Sequence, residues 1–310
     1  NGKIIQGSHP VGWCPRDQNP VSQHDTMGDV EPKIDDKNFL VKFKFGEFIF
    51  PVTTLRPETI FGVTNLWVNP NVTYKKVSVD NETWIVSEEC VKKIEFFEKE
   101  VKIIGDIEGS EIIGKYATVL HNNQEIPILE AEFVEPGMGT GLVMSVPAHA
   151  PKDYQALMDL KAKNHELASK IEPIPIIVTP GYDAYPGKQI CEKLGVSNQT
   201  DEKLEEATKE LYLKEFTDGK LNEKCEQFNN EKVQYGRDKV RAWLQENNHL
   251  EKFPVLENSP VHCRCGAECV VKILNNQWFL NYGDEEWKET ARNCFDEMNI
   301  LPSKITTEFK

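Results

Sequence analysis

The fold is set by the stretch Asn38-Phe-Leu-Val-Lys-Phe-Lys-Phe45-Gly-Glu-Phe-Ile-Phe-Pro-Val-Thr53. Phenylalanine or valine occupies every second position from Phe39 to Phe45, and an alternation of period two is typical of a β-strand. Gly46 and Glu47 supply a turn, after which residues 48–53 are again rich in Phe, Ile and Val. The stretch therefore predicts a β-hairpin.

Strand and helix patterns both continue beyond the hairpin, which predicts a mixed α/β fold. Further strands are predicted at residues 63–68, 75–86, 115–120, 142–146 and 174–178. Helices are predicted at residues 87–97, 154–170, 201–216 and 232–247. The predicted apolar face of the third helix consists of Leu204, Ala207, Leu211 and Phe216. Residues 1–36 are rich in Gly, Pro, Asp and His, which predicts a loop-rich segment.

Composition excludes several classes of protein. The chain has 310 residues, of which 39% are hydrophobic and 28% charged, so it has the material for roughly two domains. No apolar run approaches the roughly 18 residues of a membrane helix, and no signal-peptide pattern opens the chain. The eight cysteines are scattered and form no secreted disulfide framework. We therefore expect part of a larger cytoplasmic protein with no membrane partner.

The net charge of −14, from 36 basic and 50 acidic residues, argues against a surface that wraps nucleic acid. A small pocket for one end of a nucleic acid is compatible with it.

The segment Thr53-Thr-Leu-Arg-Pro-Glu-Thr59 follows the hairpin directly. One interpretation is structural: a strand ends and a helical turn begins, with Pro57 at an early helical position. The other interpretation is functional, because threonine hydroxyls and the Arg56 guanidinium form a compact polar set for a ligand. Spacing alone favours the structural interpretation, and the two are compatible.

Two further motifs lie close together in sequence. Gly137-Met-Gly-Thr-Gly141 leads into a strand and lacks the Gly-Lys-Ser/Thr ending of a phosphate loop, so it predicts a tight turn. His149 and Asp153 follow the strand at 142–146. A lone loop histidine is more often structural than catalytic, and a carboxylate where a loop enters a helix is more often an N-cap, but Asp153 would also suit an ammonium group as counter-ion. The chain has neither a Gly-x-Ser-x-Gly elbow nor a His-Glu-x-x-His helix, so any hydrolysis here requires a positioned water.

Cysteines invite a zinc interpretation at two places. A zinc knuckle needs four ligands at suitable spacing. In Cys14-Pro-Arg-Asp17 an aspartate stands where the second cysteine would be, and a single residue separates Cys263 from Cys265. Spacing therefore predicts free thiols and no metal.

In their order and spacing, these motifs resemble the editing domain (the connective polypeptide) of leucyl-tRNA synthetases of the cytosolic eukaryotic and archaeal type. The resemblance rests on 54–62, on 139–147 with Asp153, and on 270–279. Valyl- and isoleucyl-type editing domains share parts of these motifs. The leucine assignment depends on the helical insertion and on Leu55-Arg56.

The resemblance implies a β-barrel-like editing core with surrounding helices and a helical insertion at about 180–250. It divides the chain into an N-terminal linking segment or β-ribbon (1–47), an editing domain (48–260) and a segment returning to the synthetic domain (261–310). The family's His-Ile-Gly-His and Lys-Met-Ser-Lys-Ser signatures are absent from this chain. ATP is therefore expected only for the parent enzyme.

The implied activity is proofreading: hydrolysis of the ester that joins tRNA-Leu to norvaline-, isoleucine- or methionine-like amino acids, with leucyl-tRNA spared. A second, editing site is needed because two amino acids that differ by one methylene group differ in binding to an apolar pocket by only about 1–3 kcal/mol. The implied partners are the 3′ end of tRNA-Leu, with its terminal adenosine, and the remainder of the synthetase. Editing itself implies no cofactor. The alternative from another class is a non-catalytic pocket for an adenosine- or amino-acid-like ligand.

The resemblance also assigns roles. Asp153 would hold the α-ammonium group of the misattached amino acid, and Thr59 would exclude a leucine side chain. The implied catalytic residues are Asp153, Thr54 and Arg56. The implied substrate-binding residues are Thr59, Leu55, Met144, Val146, Gly139, Thr140 and His149. Ala150 follows His149 where bacterial relatives have Asp, so the polar support of this histidine is expected to differ.

Overall fold

The computed structural model describes residues 3–299. The strands are β1 (Ile4–Cys14), β2 (Asn19–Pro20), β3 (Ile34–Asp35), β4 (Phe39–Phe45), β5 (Phe48–Thr54), β6 (Asn65–Val68), β7 (Thr73–Val79), β8 (Glu82–Val86), β9 (Val101–Glu108), β10 (Tyr116–Val119), β11 (Glu125–Glu130), β12 (Leu142–Ser145), β13 (Ile177–Val178), β14 (Lys220–Leu221), β15 (Leu250–Lys252), β16 (Val255–Leu256) and β17 (Val270–Leu280). The helices are α1 (Glu88–Ile94), α2 (Gly109–Ile112), α3 (Pro151–Ala162), α4 (Glu166–Ser169), α5 (Pro186–Leu194), α6 (Lys203–Asp218), α7 (Val233–Glu246) and α8 (Glu285–Glu297). Short 3₁₀ turns lie at Gln23–Asp25, Pro57–Gly62, Glu95–Phe97 and Glu223–Phe228.

The predicted hairpin lies in the middle of a ten-stranded sheet. β4 and β5 pair in antiparallel register from Phe39 opposite Thr54 to Phe45 opposite Phe48. The main path of the sheet is β12-β6-β11-β10-β4-β5-β8-β7-β9, and β15 pairs with β4. Within residues 3–299 the terminal strands β12 and β9 do not pair, so the sheet stays open. The predicted mixed α/β class with a barrel-like core is confirmed, without closure of the barrel.

The core lies between this sheet and the helices around it. Its largest members are fully buried aromatic side chains, including Phe43, Phe50 and Tyr74. Burial of each such side chain contributes about 1.5–3 kcal/mol. A second cluster, around Trp84, lies on the other side of the sheet, where the Phe97 and Phe253 rings meet edge to face at 5.3 Å.

A separate ribbon is formed by β1 and β17, which pair from Ile4 opposite Leu280 to Trp13 opposite Val270. The prediction of a loop-rich 1–36 segment is therefore wrong for Ile4–Cys14. Strand β1 was missed because its pairing partner β17 is more than 250 residues away in the chain and because its glycine and proline residues interrupt the hydrophobic pattern.

The three-part division of the chain stays a prediction. Its first boundary, after residue 47, falls in the turn between β4 and β5, which are neighbours in one sheet. Residues 1–2 of the predicted linking segment and 300–310 of the returning segment lie outside the described residues.

Helix α6 packs against both α5 and α7, and α7 contributes Val240 and Leu244 to the main core. The helices predicted at 201–216 and 232–247 are confirmed as α6 and α7. The buried face of α6 consists of Leu204, Ala207, Leu211 and Glu215, so the prediction of Phe216 at the last position is wrong; that side chain is exposed. Among the described residues, no helix combines the length and apolarity that crossing a membrane requires.

Candidate active site

The threonine-rich segment begins where β5 ends, at Thr54. The Arg56 N–H donates to the Thr54 hydroxyl at 2.9 Å, and the Thr59 N–H and hydroxyl both donate to the Arg56 carbonyl, at 2.9 and 2.7 Å. These bonds fold the segment into the 3₁₀ turn that begins at Pro57. Thr59 is buried, whereas Leu55 is exposed. The structural interpretation of the segment is therefore correct, and the Thr54 hydroxyl keeps its own proton for another acceptor.

The glycine-rich turn lies against this segment. Gly139 has a φ of +58°, and a Cβ there would stand 2.0 Å from the Thr53 hydroxyl oxygen. Only glycine permits both the backbone conformation and the close approach. The neighbouring Thr140 is fully buried, and its carbonyl accepts from the Ser87 N–H at 2.9 Å. The turn thus fixes the beginning of β12 beside the threonine-rich segment.

Asp153 lies in the first turn of α3, just past the end of β12. One carboxylate oxygen accepts from the Trp67 indole N–H at 3.1 Å, and the other accepts from the Val146 N–H at 2.8 Å. Burial raises the pKa of Asp153 to about 7, although both hydrogen bonds act in the opposite direction. Met144, on β12, and Val146, directly after it, are buried apolar side chains.

His149 is fully buried and both ring nitrogens are engaged. Nε2 lies 2.8 and 3.2 Å from the N–H groups of Ile176 and Ile177, and Nδ1 lies 2.6 Å from the Glu215 Oε1. Since two backbone donors point at Nε2, this nitrogen is the acceptor and the ring proton sits on Nδ1. The ring joins α6 to the loop after β12.

Arg56 projects its guanidinium into the same buried network. Nη2 lies 2.6 Å from Glu215 Oε2, Nε lies 3.3 Å from Glu58, and Nη1 donates to the His149 carbonyl at 3.4 Å. The Tyr212 ring lies 4.3 Å from the guanidinium carbon. Burial alone would lower the pKa of Arg56, but the charges of Glu215 and Glu58 outweigh it and raise the pKa.

The structure brings most of the predicted site residues together. Hydrogen bonds connect Thr54, Thr59 and Arg56 to His149, and Val146 connects His149 to Asp153, because it accepts from the His149 N–H at 2.9 Å and donates to the Asp153 carboxylate. Sequence reasoning missed Glu58, Tyr212 and Glu215. For Glu215, the sequence did contain a signal: this carboxylate follows Leu211 by four residues and so lies on the apolar face of α6.

The two cysteine-containing segments, residues 14–17 and 263–265, lie next to each other in the structure. The ligand atoms of Cys14, Asp17, Cys263 and Cys265 all lie within 4.8 Å of one another. The Cys14 and Cys265 sulfurs are 3.4 Å apart, and the Asp17 N–H donates to the Cys14 sulfur at 3.3 Å. Three thiols and a carboxylate are the four ligands that tetrahedral zinc requires, so the residues fit this metal. Free thiols were predicted from the spacing within each segment, which does not show that the pairing of β1 with β17 brings the two segments together.

Comparisons with known proteins identify the relatives of this chain. A family profile described as "Leucyl-tRNA synthetase, editing domain" matches residues 37–173. The leucine–tRNA ligase of Methanothrix thermoacetophila is 45% identical over an alignment of 314 residues that covers 99% of this chain and 33% of that protein. The corresponding enzyme of Methanococcus maripaludis is 42% identical over 327 residues, covering 99% and 34%. The chain thus spans about a third of the length of these relatives.

Solved structures share the fold. The P. falciparum cytosolic leucyl-tRNA synthetase editing domain superposes with a TM-score of 0.63 at 19% identity, covering 70% of this chain and 99% of that chain. The P. knowlesi editing domain superposes with a TM-score of 0.62 at 18% identity, covering 71% and 97%. The chain belongs to the leucyl-tRNA synthetase family, and its residues 37–173 match the editing domain of that family.

Proposed function

We propose that this chain hydrolyses the ester between tRNA-Leu and a wrong amino acid, of norvaline, isoleucine or methionine type, and spares leucyl-tRNA. The observation that carries the proposal is Asp153, a buried carboxylate held by the Trp67 and Val146 N–H groups. Those bonds fix its position without neutralising it, so a substrate ammonium group can complete the charge pair. The family assignment supplies the class of substrate.

In the proposed reaction, a water attacks the ester carbonyl, the bond to the ribose oxygen breaks, and that oxygen takes a proton. Asp153 holds the α-ammonium group, while Met144 and Val146 contact the apolar side chain. Thr59, anchored on the Arg56 carbonyl, limits the room for leucine. The Thr54 hydroxyl, with its free proton, lies at the edge of the same segment and is placed to donate to the developing oxyanion.

The proposed partners follow from the charge of the chain. With a net charge of −14, the chain is unsuited to grip a whole tRNA, so only the 3′ end and its terminal adenosine enter the pocket. The rest of the tRNA contacts the remainder of the synthetase, which also carries the ATP-dependent aminoacylation site. Editing uses no cofactor, and the protein acts in the cytoplasm.

The test is hydrolysis of isoleucyl-tRNA-Leu by Asp153→Asn, with Asp159→Asn as the matched control. Asp159 lies on the same helix and accepts from the Gln199 N–H at 2.9 Å, away from the pocket. Loss of one charge-assisted contact should slow Asp153→Asn by about 10- to 100-fold and leave the control unchanged. Binding without cleavage by the wild type would favour a non-catalytic pocket. Preferential cleavage of a mischarged tRNA-Val or tRNA-Ile would favour the related editing domains.

A further inference from the structure

Glu215 is a buried carboxylate that the proposed reaction does not use. It lies on α6, in the helical insertion, with its side chain completely buried. Its two oxygens bind two different residues of the candidate site: Oε1 lies 2.6 Å from His149 Nδ1, and Oε2 lies 2.6 Å from Arg56 Nη2. A charged side chain from the insertion thus reaches into the pocket wall.

Both partners of Glu215 are hydrogen-bond donors. An arginine has no acceptor, and the His149 proton lies on Nδ1 because Nε2 accepts from Ile176 and Ile177. Among side chains of this length, only a carboxylate offers two acceptor oxygens. A glutamine would satisfy one partner and turn its own N–H₂ group toward the other.

Glu215 is also ionised in its buried site. Burial would raise the pKa of this carboxyl, but the Arg56 charge and the hydrogen bonds from His149 and Arg56 outweigh burial and hold the pKa below its ordinary value. Truncation of Glu215 would therefore leave the Arg56 guanidinium with Glu58 as its remaining counter-ion among the described residues.

The two partners of Glu215 are hydrogen-bonded to two different segments of the candidate site. The carbonyl of Arg56 accepts both hydrogen bonds of Thr59, which is proposed to exclude leucine. The His149 N–H donates to the Val146 carbonyl, and the Val146 N–H in turn donates to the Asp153 carboxylate. Glu215 is therefore two hydrogen bonds away from Thr59 and three away from Asp153, the two groups that would recognise the substrate.

We propose that Glu215 is a positioning residue: through it, the helical insertion sets the separation between the threonine-rich segment and the Asp153 loop, and so the size of the pocket. The inference rests on the proposed editing function. A displacement of about 1 Å in such a site can lower the rate by about 100-fold, so loss of this link affects turnover and selectivity together.

The test compares Glu215→Gln with Glu210→Gln. Glu210 lies on the same helix, pairs with Lys193 at 2.6 Å and is partly exposed, so it matches the chemical change away from the pocket. For isoleucyl-tRNA-Leu, we expect Glu215→Gln to lower kcat by about 10- to 100-fold with KM nearly unchanged, and to reduce the preference for isoleucine over leucine. Glu210→Gln should keep the wild-type values.

Amide hydrogen exchange provides a readout that does not depend on catalysis. In Glu215→Gln, residues 54–62 and 146–150 should exchange faster while the strands β4 and β5 keep their protection. If Glu215→Gln does not fold, Glu215→Asp replaces it, because it keeps the charge but is one methylene too short to reach both partners.

Each outcome decides one of the two proposals. Wild-type selectivity and exchange in a folded Glu215 variant would overturn the positioning role. If the wild type cleaves neither ester, the editing proposal fails, and the exchange pattern alone decides: selective loosening of the two pocket segments supports positioning, and uniform loosening overturns it.

Discussion

Asp153 illustrates how one buried side chain links stability to pH. Burial raises its pKa to about 7 in the folded protein, against about 3.9 in an unfolded chain. The folded state therefore binds this proton more tightly. The stabilising contribution is complete below about pH 4 and is lost as the pH rises through 7, by at most about 1.4 kcal/mol per pH unit.

Urea unfolding of the wild type and of Asp153→Asn at pH 4.5 and 7.5 measures this contribution. We expect the wild type to lose stability relative to the variant at the higher pH. The variant serves as the internal reference, because every other titrating group is common to both proteins. An unchanged difference in the free energy of unfolding between the two pH values would contradict the burial of an ionisable carboxyl at this position.

Thr59 offers a second test, because its hydroxyl and its volume can be separated. Thr59→Ala opens the pocket, whereas Thr59→Val keeps the volume and removes only the bond to the Arg56 carbonyl. If steric exclusion spares leucine, the alanine variant should hydrolyse leucyl-tRNA-Leu and the valine variant should still spare it. Cleavage of leucyl-tRNA by both variants would assign discrimination to the hydroxyl instead.

Some residues of the candidate site could be predicted from the sequence, and others could not. Thr59 and Asp153 stand out because polar groups follow strand ends in short motifs. Glu215 did not, because it lies in a helix dense with acidic residues, and its burial depends on the packing of α6 against Arg56 and His149. Its spacing of four residues from Leu211 indicates the buried face of α6 but does not reveal which distant residues it contacts.

Among the elements, the glycine-rich turn before β12 carries a sharp prediction. Gly139→Ala would place a Cβ 2.0 Å from the Thr53 hydroxyl, in a backbone with positive φ, and should lower the free energy of unfolding by about 1–3 kcal/mol. Gly137→Ala is the control, since a Cβ there meets nothing within 4 Å. Urea denaturation of both variants measures the difference. Equal stabilities would show that the turn is not pressed against β5.

The ribbon of β1 and β17 carries a prediction about metal. Because Cys14, Asp17, Cys263 and Cys265 fit zinc, we expect the purified chain to retain about one zinc ion, measured by mass spectrometry after dialysis. Cys265→Ser should lose most of the metal and lower the melting temperature. Cys294→Ser, at an exposed cysteine of α8, should behave like the wild type. A metal-free wild type would restore the interpretation of free thiols.

The elements also show where pattern reasoning ends. Strand β4 was predictable because Phe or Val occupies every second position, and β5 because a short turn joins it to β4 in a hairpin. Strand β9 was not predicted, and its pairing with β7 shifts register between Lys76 and Val77. Helix α8 was also missed, although Trp287, Ala291 and Phe295 recur in it at helical spacing; none of its residues is buried.

In the molecule as a whole, charged side chains connect the threonine-rich segment at the end of β5 to the helices of the insertion. Arg56 binds Glu215 of α6, while Glu58 receives two hydrogen bonds from Arg237 of α7, both at 3.1 Å. Two helices of the insertion thus hold the threonine-rich segment by buried charges. The net charge of −14 argues against a surface that wraps nucleic acid and is compatible with a site that admits only one end of it.

The most direct test of the account is side-by-side hydrolysis of isoleucyl-tRNA-Leu and leucyl-tRNA-Leu by the unmodified protein. We expect the isoleucyl ester to be cleaved about 10- to 200-fold faster than the leucyl ester, since discrimination by one apolar pocket contributes about 1–3 kcal/mol. Equal cleavage of the two esters, or preference for the leucyl ester, would contradict it.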